Sequence, residues 1–176
     1  MAEGLNRAQV QAAMKAMMDK AMETPNEPIA MCIVDATGNL EAYAKMDNLR
    51  LFSRRHAQRK AYTSAVMGMD SGAHAERLHG GGRNIADLGD PMMTHGQGGL
   101  VIMKDGVILG GIGVGGYPSG QADEDISRIG LNAMNLYGDE SLILITVHQS
   151  KNLNAPADSP WRFVLPIGRP SCWVRV

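Results

Sequence analysis

The sequence is poor in aromatic residues, in net charge, in cysteine and in long apolar runs. Phe, Trp and Tyr make up 5% of its 176 residues, too few for the aromatic platforms on which single-stranded nucleic acids stack. Lys and Arg number 17 against 18 Asp and Glu, for a formal net charge of -1. The basic footprint of a nucleic-acid-binding protein is therefore absent. Two cysteines, Cys32 and Cys172, lie far apart, which excludes a disulfide framework and a Cys-type zinc site. No apolar run approaches the roughly 20 residues that span a bilayer, so no membrane partner is expected. The opening Met1-Ala2-Glu3-Gly4-Leu5-Asn6-Arg7 has no basic stretch leading into an apolar one, which points to the cytoplasm.

What is present suits a globular chain with a real core. Hydrophobic residues make up 44% and charged residues 20%, outside the range of disordered chains. Gly (21) and Met (13) stand out, and Met commonly fills irregular cores and adaptable pockets. Val10, Ala13, Met14, Met17, Met18 and Ala21 recur at helical spacing, so 6–23 is expected to be an amphipathic helix. Asn6 and Gln9 form its capping box and Pro25 and Pro28 stop it. Ile29–Asp35 and Leu40–Met46 flank Ala36-Thr37-Gly38-Asn39 and read as a hairpin. Residues 53–69 read as a second helix and Ser71 as the cap of a short third one. A glycine-rich loop, Gly80 to Gly99, carries His95.

Lys104-Asp105-Gly106 joins Leu100–Met103 to Val107–Val114 and supplies the positive φ of a tight turn, giving a second hairpin. A last helix over 119–137 has Ser119 as its N-cap. The element order is α-ββ-αα-ββ-α. It predicts an α+β fold, a central antiparallel sheet built from two hairpins with flanking helices gathered on one side. Residues 1–138 form this domain. Residues 139–176, with an extra strand at Leu142–Val147, a loop through Asn152 and Pro160, and both tryptophans, form a C-terminal extension.

These stretches resemble a known family. VDATGNLEAYAKMD, RRHAQRKAYTSAVMG, GQGGLVIMKDGVILGGIGVGG and QADEDISRIGL follow one another as in the GlcG/HbpS family, also found at the C-terminus of PduO-type proteins. The resemblance covers about residues 5–137. It implies an antiparallel sheet flanked by helices, assembly into homo-oligomers, and for some members haem binding. Typical members end near Gly138.

Several residues carry candidate chemistry. Gly111-Ile112-Gly113-Val114-Gly115-Gly116 satisfies G-x-G-x-x-G, but in an antiparallel hairpin and without a following acidic residue for a ribose. Two readings remain: a strand stripped of side chains so that another backbone can approach, or an anion site at the start of the last helix. Asp123-Glu124-Asp125 is explained by favourable charge at that helix start rather than by a metal. None of the histidines His56, His74, His79, His95 and His148 forms a zinc-protease or c-type haem motif. Non-covalent haem needs one axial imidazole in an apolar slot. His95, beside Met92 and Met93, is the candidate for the haem iron. Arg55 and Arg59 share a helix face at i, i+4, as do His56 and Lys60, and guanidinium grips carboxylate bidentately. Arg55, Arg59, Lys60, Met92, Gly113, Gly115, Gly116 and His95 are thus the expected ligand contacts. Two functions compete: a module that binds haem or a related tetrapyrrole, and a cofactor-free enzyme on a small carboxylated metabolite. In the second, His56 or His95 would move a proton.

Overall fold

The computed structural model describes residues 4–137 and, beyond them, the backbone of the strands at 161–164 and 172–175. Two compact units divide the chain at Asn135/Leu136. In the first, the expected order is realised: α1 (Arg7–Ala21), β1 (Ala30–Asp35), β2 (Leu40–Lys45), α2 (Leu51–Met67), α3 (Ser71–Gly80), β3 (Gly99–Lys104), β4 (Val107–Gly115) and α4 (Gly120–Ala133). A 3-10 turn, Ile85–Leu88, sits within the glycine-rich loop. In the second, β5 (Trp161–Val164) pairs antiparallel with β6 (Cys172–Arg175). The strand expected at Leu142–Val147 and the loop after it lie outside the described residues.

Local chemistry sets the element ends. Gln9 N donates to Asn6 Oδ1 at 2.9 Å and Asn6 N to Gln9 Oε1 at 3.0 Å, closing the capping box of α1. Ala122 N donates to Ser119 Oγ at the start of α4. Gly68, at φ 64°, ends α2 in the left-handed conformation.

The sheet runs β2-β1-β4-β3 and every pair is antiparallel. Side chains alternate between its faces, and helices cover both. On one face of β4, Cβ atoms on Gly111 and Gly113 would lie 2.1 Å from Ala61 O and 2.4 Å from Ala57 O, both in α2. On the other, Ile112 meets Gly130 of α4, which also touches Met17 of α1. The expectation that the helices gather on one side is therefore corrected. Both faces of β1 and β4 are apolar and buried, and α1 packs with α4 on the face that α2 leaves open.

The α2 interface explains the glycine run. Ala57, Ala61 and Ala65 join Ala30, Cys32 and Val34 in one buried cluster of small side chains. Glycine on β4 lets the helix backbone settle onto the strand. The G-x-G-x-x-G stretch is a packing surface. Among the described residues, no helix is long and apolar enough to cross a membrane.

Candidate functional site

The N-terminal half of α2 borders an open cleft of about 640 Å³, within the range of roughly 300–1,000 Å³ usual for small-ligand sites. Leu51, Phe52, Pro91 and Met92 form its apolar wall, and Arg55, His56 and Arg59 its polar one. Helical spacing puts Phe52, His56 and Arg59 on one side of α2. The Phe52 and His56 rings stack with centroids 4.8 Å apart. The opposite wall is tied down by α2 itself. Arg59 Nη2 donates to Met93 O at 2.7 Å, Tyr62 Oη to Asp90 Oδ2 at 2.8 Å, and Thr94 N to Thr63 Oγ1 at 3.0 Å. Arg59, Tyr62 and Thr63, within little more than one turn of the helix, thus hold the loop that carries Pro91 and Met92.

The polar side is incomplete. His56 Nδ1 and Arg59 Nε are buried and have no hydrogen-bond partner. Such atoms are rare in native proteins and call for a water, ion or ligand. Arg55 is exposed at the rim. Burial, then the charges of Lys60, Arg59 and His95, pushes the His56 imidazole down from 6.5 to about 4. At neutral pH its ring is uncharged.

That depression sets a pH dependence. Folding favours the neutral ring, so the stability it contributes is complete above about 6.5 and is lost as pH falls toward 4. Melting temperature should therefore drop across this window. His74, also pushed down by burial, contributes in the same direction. His56→Asn should flatten the decline in part, and identical slopes for variant and wild type would contradict the assignment.

The cleft brings together four expected residues: Arg55, His56, Arg59 and Met92. The others are elsewhere. Lys60 is buried, and its Nζ donates to Asp123 Oδ2 at 2.7 Å. Asp123 Oδ1 in turn accepts from Tyr117 N at 3.1 Å. The anion site expected after Gly116 is thus filled by the chain's own Asp123. Gly113 and Gly115 face α2, with Ala57 against both. His95 is exposed and its ring lies 6.3 Å from that of His79, but its charge reaches His56. His74 is fully buried and neither ring nitrogen has a partner. His148 lies outside the described residues.

Sequence reasoning missed Leu51, Phe52, Gln58 and Pro91. Phe52 was legible in principle, since it precedes His56 by four residues on one helix. Among the described residues, no three His, Cys, Asp or Glu side chains gather to hold a metal ion. The Cys32 thiol is buried, and burial pushes it up to about 12, which removes it as a nucleophile at neutral pH.

Known proteins share this architecture. Protein GlcG of Escherichia coli (strain K12) is 26% identical over 106 residues, 60% of this chain and 78% of that protein. A crystal structure of a Streptomyces reticuli HbpS double mutant superposes with a TM-score of 0.67 at 26% identity, covering 75% of this chain and 88% of the other. A PduOC:haem complex superposes with a TM-score of 0.68 at 24% identity, covering 76% and 96%, and that likeness is one of fold. The sequence model of the family described as "Haem degrading protein HbpS-like" matches residues 5–132. The resemblance read from the two hairpins and their helices is thereby borne out, and the chain belongs to the HbpS-like family.

Proposed function

We propose that this chain binds haem or a related tetrapyrrole in the α2 cleft. The observation that carries this reading is the pairing of an apolar wall with unpartnered cationic and imidazole groups. Phe52 and Met92 line the cleft together with Arg55, His56 and Arg59, and His56 Nδ1 and Arg59 Nε are buried there without partners. A flat apolar molecule with carboxylate arms uses both sides. Arg55 and Arg59 suit propionates, because guanidinium and carboxylate form charge-assisted bonds. Haem, when bound, supplies an iron that accepts an imidazole nitrogen. His56 is the imidazole that lines the cleft and is neutral at pH 7, so it takes this role ahead of His95. Membership of a family described as haem degrading supports the same ligand.

Haemin titration tests the reading. One equivalent per chain should give a saturable Soret shift. Arg59→Ala should weaken binding about tenfold, the cost of a bond to a charged group, and Arg59→Lys should recover part of it. His56→Ala should weaken binding more than His95→Ala; the reverse order would return the iron to His95. No saturable binding at micromolar haemin would reject the proposal.

Self-association belongs to the same proposal. Leu51 and Phe52 remain 62% and 65% exposed at the cleft rim, an apolar patch of the kind that interfaces cover. Light scattering at tens of micromolar should give a dimer or larger, and a monomer would count against it.

A further inference from the structure

Lys60 and Asp123 join α2 to α4 through side chains only 3% and 5% exposed. Burial pushes the Lys60 amine down and the Asp123 carboxyl up, against their mutual attraction. A buried pair of this kind adds little stability over an apolar pair of similar shape. Its distinguishing feature is what rests on it.

Lys60 follows His56 by one helical turn, and both side chains press on the same glycine. A Cβ on Gly96 would lie 2.2 Å from His56 Nε2 and 3.2 Å from Lys60 Cε. Two residues on, a Cβ on Gly98 would lie 2.8 Å from Lys60 Nζ and 2.7 Å from Asp123 Cβ. Gly98 adopts φ 118°, a conformation open to glycine, and its carbonyl accepts from Ser127 Oγ at 2.7 Å. The segment Gly96–Gly99, bonded to Ser71 Oγ through Gly96 O and Gly99 N, packs on the ion pair at Gly98 and touches the His56 ring at Gly96.

We propose that Lys60, anchored by Asp123, is a positioning residue of the cleft: it seats Gly96 against the His56 ring and so fixes the orientation of that ring toward the ligand. This rests on the reading above only in that His56 meets the ligand. Lys60 itself is not among the residues that line the cleft; its amine is buried on Asp123.

A variant cycle tests it. Lys60→Met with Asp123→Asn removes both charges and keeps an acceptor for the Tyr117 N–H. With the fold intact by circular dichroism, haemin affinity should fall about three- to tenfold. In a His56→Ala background the same change should cost less than about twofold, because the ring it positions is gone. No loss, or equal losses in both backgrounds, would overturn the proposal, since a merely structural role is additive. Gly96→Ala is the second variant, decisive even if the charge-removed protein does not fold. Its Cβ meets the His56 ring far more closely than Lys60 and the variant keeps both charges of the pair, so it should reproduce the loss and the dependence on His56. Wild-type affinity in Gly96→Ala would overturn the proposal. If the wild type binds no haemin, the functional reading fails and positioning is read from the free protein. Contacts by nuclear Overhauser effect between the His56 ring and Gly96 should then vanish in the charge-removed variant, and their persistence would overturn it.

Discussion

Replacing Lys60 by Met alone is expected to destabilise the fold by about 3–5 kcal/mol. The substitution leaves the Asp123 carboxylate 5% exposed and without its cation. Tyr117 N still donates to Oδ1, but Oδ2 loses the bond at 2.7 Å. A buried carboxylate in that state either protonates or drags water inward, and each outcome costs free energy. The melting temperature should fall by roughly 10–20 °C. The variant with Asp123→Asn as well should recover most of the loss, because no uncompensated charge remains. A loss below about 1 kcal/mol for Lys60→Met, by urea denaturation, would show that the pair is hydrated rather than buried.

Gly113→Ala should be almost as damaging, at about 3 kcal/mol. The new Cβ would stand 2.4 Å from Ala57 O and 2.5 Å from Ala61 N. Both are backbone atoms of α2, so no side-chain rotation relieves the clash and the helix must lift off β4. That movement opens the Ala57–Ala61–Ala65 seam and shifts the cleft residues carried by the same helix. Gly80→Ala is the control. Its Cβ meets nothing within 4 Å in the last turn of α3, and Ala there is neutral or stabilising by about 0.5–1 kcal/mol. Thermal unfolding of the two variants side by side decides the point. A Gly113→Ala protein as stable as Gly80→Ala would mean that the helix does not sit on the strand glycines.

These two effects also mark the limit of what the sequence disclosed. The α1 capping box and the Ser119 cap were legible because each is settled within four residues. The Asp105-Gly106 turn was legible for the same reason, with both residues at positive φ. Which helix covers which face of the sheet was not, since β1 and β4 are buried on both sides and alternation alone does not assign partners. The glycine run was open between packing and anion binding. The choice depends on Ala57 and Ala61, about fifty residues upstream, and on Asp123, whose carboxylate takes the Tyr117 N–H. At the site, Arg55, His56 and Arg59 could be grouped from helical spacing. Met92 joined them through loop contacts made by Arg59 and Tyr62. Lys60 shares the spacing of His56 and turned inward instead, because its partner lies 63 residues away and no local pattern announces it.

Backbone amide shifts on adding gallium protoporphyrin, a diamagnetic stand-in for haemin, test the location of the ligand most directly. Binding in the α2 cleft predicts that the largest changes fall on Phe52, Arg55, His56, Arg59 and Met92, and that they saturate at one equivalent per chain. A second cleft, of about 380 Å³, is lined by Met18, Met22 and Met46 between α1 and the end of β2. Changes concentrated there, with the α2 cleft silent, would contradict the assignment of the site.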